Sequence, residues 1–324
     1  VRTKVVAAHS KIATIISALL LASLFVSIPV PASANNCVPT STTASNGDII
    51  LTFTTVGSCN WSVPAGVTSV RVLIVGGGGS GSVGISSYYW PAGGGGGEVI
   101  ADSSVTVTPN TSVTIEVGAG GAAVTSGPGA DVNNGKQSGF GTSVARGGKT
   151  PNNSLTNNAG ATGGASGSSN PGGFGGTNGS FGCGIANCGT GGGGGAGGNG
   201  TGLNGGAGVD SDISGTTVGY GGGGAGHNGA SGTATAGGAT QSVDAPPNRG
   251  GGGAYLKAGG SGVVIVRYIN APSISLSTST ISASVGTAVT SYTITSSGGT
   301  AASYSISPSL AVSGLSFSTS TGQI

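Results

Sequence analysis

Gly76, Gly78 and Gly81 fit the spacing G-x-G-x-x-G directly after the β-branched run "VRVLIV". That spacing is the fingerprint of a turn that cradles a dinucleotide pyrophosphate at a helix N-terminus. The chemistry would need a helix after Gly81 and an acid at a strand end to hold a ribose. The sequence instead continues "SVGISSYYWPAGGGGGEVI", with Pro91 and five consecutive glycines where the helix belongs. Glu98 stands near the distance of the ribose acid, but it begins the strand-like "EVIAD" rather than ending one. The fingerprint is therefore read as chance in a chain with 71 glycines.

Two further patterns go the same way. "RGGKT" (146–150) resembles the end of a phosphate-binding loop, yet Ser143 stands where the motif requires glycine. "GGAGVDSDI" (205–213) is similar to a calcium-binding nonapeptide, but Asp212 replaces its large apolar residue and no tandem copy follows. Asp210 and Asp212 are accordingly read as a solvated turn, and no metal or cofactor is expected. Of the two histidines, His9 lies in the N-terminal leader described below and His227 is embedded in glycine, "GAGHNGA". A general base needs an orienting partner on a rigid element, so His227 is read as a hydrogen-bonding residue at a loop tip. No paired carboxylates or nucleophile elbow appear, so no catalytic residue is assigned and the chain is read as no enzyme.

Aromatic side chains interrupt the glycine background, most densely at Tyr88, Tyr89 and Trp90, with Phe174, Phe181, Tyr220 and Tyr255 beyond. Tyr and Trp offer large contact area at small entropic cost. Tyr88, Tyr89 and Trp90 are the candidate binding loop; the competing reading makes such aromatics a shield over the glycine region.

The elements that must position these residues are strand-like. "DIILTFTT", "VTSVRVLIVG", "EVIADSSVTVT", "TSVTIEVG", "GTSVARGG" and, far downstream, "SGVVIVRYI" are rich in Val, Ile and Thr and bounded by turn residues. No segment after the leader has a helical period. Between about 147 and 260 glycine comes in runs. Without Cβ, glycine chains in the polyproline-II conformation can approach closely and hydrogen-bond to one another. Ordering a residue costs about 1–2 kcal/mol, against about 0.5–1.5 returned by a net hydrogen bond. A polyglycine bundle therefore needs a scaffold, which the flanking strands would supply. The fold expected is all-β: a small sandwich or jelly-roll-like scaffold carrying an inserted polyglycine II region.

Residues 1–34 have the charged, apolar and small-residue regions of a secretory signal, with Ala32-Ser33-Ala34 at the cleavage site. An exported, extracellular or cell-surface protein with no span in the mature chain is expected. Cleavage removes Arg2, Lys4 and Lys11, leaving seven basic against eight acidic residues, which disfavours nucleic acid as a partner. Cys37, Cys59, Cys183 and Cys188 read as disulfides, with proximity favouring Cys37–Cys59 and Cys183–Cys188. Residues 35–47 read as an N-terminal linker, 48–270 as one glycine-rich domain. From 271 to 324 a Ser/Thr-rich series of short strands reads as an incomplete immunoglobulin-like sandwich.

"CNWSVPAGVTSVRVLIVGGGGSG", "GGGGGEVIADSSVTVTPNTSVTIEVGAGG", "SGFGTSVARGG" and "GGSGVVIVRY" together resemble the bacterial and phage glycine-rich domain. The resemblance implies a small β-structure with a glycine-rich insertion, in a non-enzymatic surface or secreted module. In phage tail-tip adhesins of similar appearance, polyglycine II helices are packed together and the loops between them bind receptors. The tail "SYSISPSLAVSGLSFSTSTGQI" resembles the immunoglobulin-like repeat of bacterial surface proteins, which implies a truncated first repeat of a stalk. The partner would be a surface receptor, a glycan or a matrix component. Two alternatives are a structural wall or matrix protein with a self-assembling glycine region, and an accessory part of a larger secreted enzyme.

Overall fold

The computed structural model describes residues 36–83, 92–124, 133–151, 191–227, 232–241 and 243–269, with short stretches at 273–276, 294–297, 305 and 318–320. The leader, Tyr88–Trp90, Phe174, Phe181, Cys183 and Cys188 lie outside the described residues.

The apolar runs are strands because each has two faces to bury. β1 (Thr40–Thr43), β2 (Ile49–Phe53), β4 (Ser69–Val75), β5 (Val99–Thr106) and β11 (Val263–Tyr268) form one antiparallel sheet in the order β1-β2-β11-β4-β5. β3 (Gly57–Ser62), β6 (Ser112–Val117), β7 (Ser138–Phe140) and β8 (Ser143–Ala145) form a second, in that order. Alternate residues of the first sheet, Leu51, Phe53, Val72, Ile74, Val264 and Val266, meet Trp61, Ile115, Val117, Phe140 and Ala145 of the second in one core. The other set, Ile50, Leu73, Val75, Val263 and Ile265, faces outward. It is covered by Ile213 and Tyr220 of a ribbon made from β9 (Val209–Ser211) and β10 (Val218–Tyr220). Strands buried on both faces carry continuous rather than alternating apolar residues, which accounts for "VLIV" and "VVIV".

The sheets are the predicted all-β scaffold, with three differences in extent. Residues 35–47 are not merely a linker: β1 lies along β2, and the Cys37 N–H donates to the Asn60 carbonyl (3.0 Å). The Cys37–Cys59 disulfide forms as expected, its Cα atoms 5.0 Å apart. The ribbon β9–β10 falls inside the region read as glycine insertion, and the glycine bundle draws on residues well outside 147–260. Of the C-terminal region, β12 (Ser273–Leu276) pairs antiparallel with β13 (Ile294–Ser297).

The bundle continues the sandwich strands. Residues 76–82 extend β4 as a polyproline-II rod, a conformation with three residues per turn and no internal hydrogen bonds. Its N–H groups consequently point to three neighbours in rotation. Gly76, Gly79 and Ser82 donate to Glu98, Gly95 and Ala92; Gly77 and Ser80 donate to Lys136 and Asn133; Gly78 and Gly81 donate to Gly260 and Lys257. Its carbonyls accept from three others, Gly148 onto Gly77, Gly121 onto Gly78 and Gly253 onto Gly79. The rod is thus hydrogen-bonded to six surrounding segments. Glycine is required here by closeness: a Cβ on Gly78 would collide with the Gly251 carbonyl, and one on Gly81 with that of Ala254.

Candidate functional site

The rods fix a direction. β4 feeds the rod that runs from Gly76 to Ser82, and Ser82 meets Ala92 at its far end, about 20 Å away at 3.1 Å per residue. The segments 84–91, 125–132, 152–190 and 228–231 leave and re-enter the described chain from residues at this far end of the rods. β11 runs the opposite way, so Tyr268 and Ile269 lie at the end of the sandwich remote from the bundle. The two ends have different chemistry.

At the tip, the turns between rods carry bulky side chains. Leu203 follows Gly202, and its carbonyl accepts from Gly226 (2.8 Å). The rings of His227 and Tyr255 stack in parallel with centroids 5.8 Å apart, and Gln241 Nε2 lies 3.2 Å from His227 Nε2. Val243 and Leu256 are 58% and 37% exposed, and Leu256 adopts φ 55°. A left-handed conformation at an exposed leucine is unfavourable for an L-residue. On the sandwich side the turns carry Ala196, Gly197, Ala236 and Gly237, and Arg249 lies over the buried Tyr220 ring at 5.9 Å. Burial raises the Tyr220 phenol above its usual range, an effect that a hydrogen bond with Ser214 and the Arg249 charge offset in part.

The far end of the sandwich holds a cleft of about 540 Å³ lined by residues that include Asn46, Thr68, Arg71, Ser103, Arg267 and Tyr268. Arg71 and Arg267 are direct register partners on β4 and β11, a repulsive arrangement for like charges. Each has a carboxylate: Arg267 Nε donates to Asp48 (2.8 Å) and Arg71 to Asp212 (3.2 Å). Asp212 thus faces an arginine from the ribbon turn. Desolvation pushes the Asp48 carboxyl up, but hydrogen bonds from Asn46 and Arg267 and the charges of Arg267 and Arg71 leave it below its ordinary 3.8. Because its folded pKa is depressed, its stabilisation is present above the unfolded pKa of about 3.9 and fades as pH falls through the folded value. Asp48→Asn should therefore cost about 2 kcal/mol near neutrality, and urea unfolding curves of variant and parent should converge in acid. A gap that persists unchanged at low pH would contradict the assignment.

The fingerprint residues are accounted for by the bundle. A phosphate cradle needs free N–H groups, and every N–H from Gly76 to Gly81 is donated to a backbone carbonyl. Within "RGGKT", the Gly148 N–H donates to the Gly77 carbonyl, the Arg146 N–H to the Glu98 carboxylate (2.8 Å) and the Thr150 N–H to the Asn134 side-chain oxygen (2.8 Å). His227 is engaged by Gln241 and Tyr255. Among the described residues no three His, Cys, Asp or Glu side chains cluster as metal ligands, and no helix is long and apolar enough to cross a membrane. Tyr220 belongs to the core, whereas Tyr255 is at the tip. Sequence reading missed Leu203, Gln241, Val243 and Leu256 as tip residues; their signal is that they interrupt glycine runs.

The model of the family described as glycine-rich domain matches residues 54–269, more than half of the chain. No curated protein matches the chain.

Proposed function

Because this chain belongs to the glycine-rich domain family, we propose that it is an exported, non-enzymatic binding module that meets a partner with the tip of its glycine bundle. The observation that carries this reading is polarity. Bulky turn residues and the points where the segments 84–91, 125–132, 152–190 and 228–231 leave the rods lie at one end, while the path to the C-terminal residues leaves from the other. The rods hydrogen-bond mainly to one another, so recognition falls to side chains at their turns. A rigid scaffold presenting variable loops is the usual division of labour in binding proteins. The leader supports export, and the tail resembling immunoglobulin-like repeats supports presentation on a stalk. His227 pairs with the Gln241 amide and stacks on the Tyr255 ring, which supports a structural or binding role for it.

Tyr88, Tyr89 and Trp90 stand in the sequence between Val83 and Ala92, and they are the residues assigned to binding in this reading. Replacing all three by Ala should reduce adhesion to cells, glycans or matrix proteins at least tenfold, while Tm moves by less than about 4 °C. A collapse of stability would make them core and move the site elsewhere. A second reading, a wall or matrix protein whose glycine regions pack between copies, draws on the exposed outer row Gly197, Asn199 and Ala207. It takes precedence if the intact module finds no partner in that assay.

A further inference from the structure

We propose that Tyr255, His227 and Gln241 form a carbohydrate subsite at the bundle tip that takes an uncharged pyranose unit, an inference that rests on the binding-module reading above. Three observations converge. The first is the ring pair: Tyr255 and His227, each partly buried, stack in parallel on separate turns, so that each ring holds the other in place. A sugar ring presents an apolar face of C–H groups, and an aromatic ring held on a rigid support is its natural counterpart, since no ordering of the ring is needed on binding. The second is the polar rim. Gln241 places a primary amide beside the imidazole, 3.2 Å from Nε2. An amide supplies both donors and an acceptor, matching hydroxyls that do the same.

The third observation is charge. In the turns 240–245 and 254–258 the charged side chains are Asp244 and Lys257, one of each sign, and Asp244 Oδ1 already accepts from the Ala258 N–H (2.9 Å). That rim offers no excess of charge for a sulfated or uronic chain, and no pair of guanidiniums for a phosphate. Leu256, 37% exposed in a left-handed conformation, follows Tyr255 in the same turn and adds one apolar side chain to that turn. A protein partner would favour a larger apolar patch than this one. The geometry fits one ring at a time, so affinity for a single chain should be weak and rise with repeated presentation.

The test titrates the intact chain with cellohexaose, chitohexaose and mannohexaose, followed by Tyr ring resonances and calorimetry, with hexagalacturonate as the charged comparison. At least one neutral hexasaccharide should saturate at about 1 mM or below, shifting the Tyr255 and His227 ring signals. Tyr255→Ala should weaken binding at least tenfold, Gln241→Ala about fivefold, and Tyr255→Phe by less than twofold because the ring face carries the contact. Should Tyr255→Ala fail to fold, the Phe and Gln241 variants decide alone. The proposal falls if no neutral saccharide saturates, if hexagalacturonate binds equally well, or if binding is indifferent to Tyr255 and Gln241. Cell adhesion that persists without saccharide binding removes this subsite and leaves the binding-module reading standing. Loss of both removes both.

Discussion

Gly78→Ala should destabilise the protein by about 3 kcal/mol or more, an unusually large effect for adding one methyl group. Gly78 belongs to the rod 76–82, which is hydrogen-bonded to six surrounding segments. An ideal Cβ there would overlap the carbonyl group of Gly251 and crowd the Gly252 nitrogen. Those are backbone atoms held by their own hydrogen bonds, so no rotamer change can relieve the overlap. Either the rods separate or hydrogen bonds break on both sides of the substitution. At about 2–4 °C per kcal/mol for a chain of this size, Tm should fall by roughly 6–12 °C. Gly198→Ala is the matched control. A Cβ at Gly198 would meet only the Ala207 Cβ, at 4.0 Å, so its effect should stay within about 0.5 kcal/mol. Equal effects of the two variants would mean that the rods are not packed at backbone contact.

Trp61→Ala should cost about 3–5 kcal/mol, the range for removing a large buried aromatic side chain. Trp61 on β3 is 5% exposed, and its ring centroid is 6.2 Å from both Phe140 on β7 and Tyr268 on β11. It therefore joins the two sheets, close to the point where the Cys37–Cys59 disulfide ties the N-terminal segment to the same strand. Trp61→Phe, which keeps ring contacts, should lose clearly less. The bundle has few apolar side chains of its own beyond the small cluster of Ala225, Ala239, Ala245 and Ala254. Hydrogen bonds of about 1 kcal/mol each only balance the entropy of ordering glycine. Denaturant unfolding of Trp61→Ala should accordingly lower one shared transition for sandwich and bundle, followed by circular dichroism and by amide exchange of residues 191–208. Protection of those amides that survives unfolding of the sandwich would show a bundle standing unaided.

The strands with a strong apolar pattern were legible without coordinates: β2, β4, β5, β6, β8 and β11 each lie within a Val-, Ile- and Thr-rich run. Short or polar strands were not. Gly57–Ser62 becomes β3 because Trp61 and the disulfide hold it against β6, and neither contact leaves a periodic trace. Val209–Ser211 and Val218–Tyr220 become a ribbon because Ile213 and Tyr220 cover the outer face of the first sheet. Thr40–Thr43 is exposed throughout and is a strand because β2 offers it an edge.

The candidate site divides the same way. That aromatics in a glycine background matter could be read from composition, but Tyr220 is core and Tyr255 is at the tip, a distinction that depends on which end of a rod each occupies. The amino-acid sequence by itself determined that this chain makes β-structure around glycine and that its fingerprint lacks the helix a dinucleotide needs. Only the tertiary structure decided which carbonyl each glycine N–H meets, and so which end of the bundle each turn faces. The reason is physical. A strand side chain carries its burial preference with it, whereas glycine has no side chain to distinguish one rod from another. The pairing of rods is therefore set by where the sandwich launches and recovers each of them, as when Val75 and Val263, far apart in the chain, become register partners at the bundle's base.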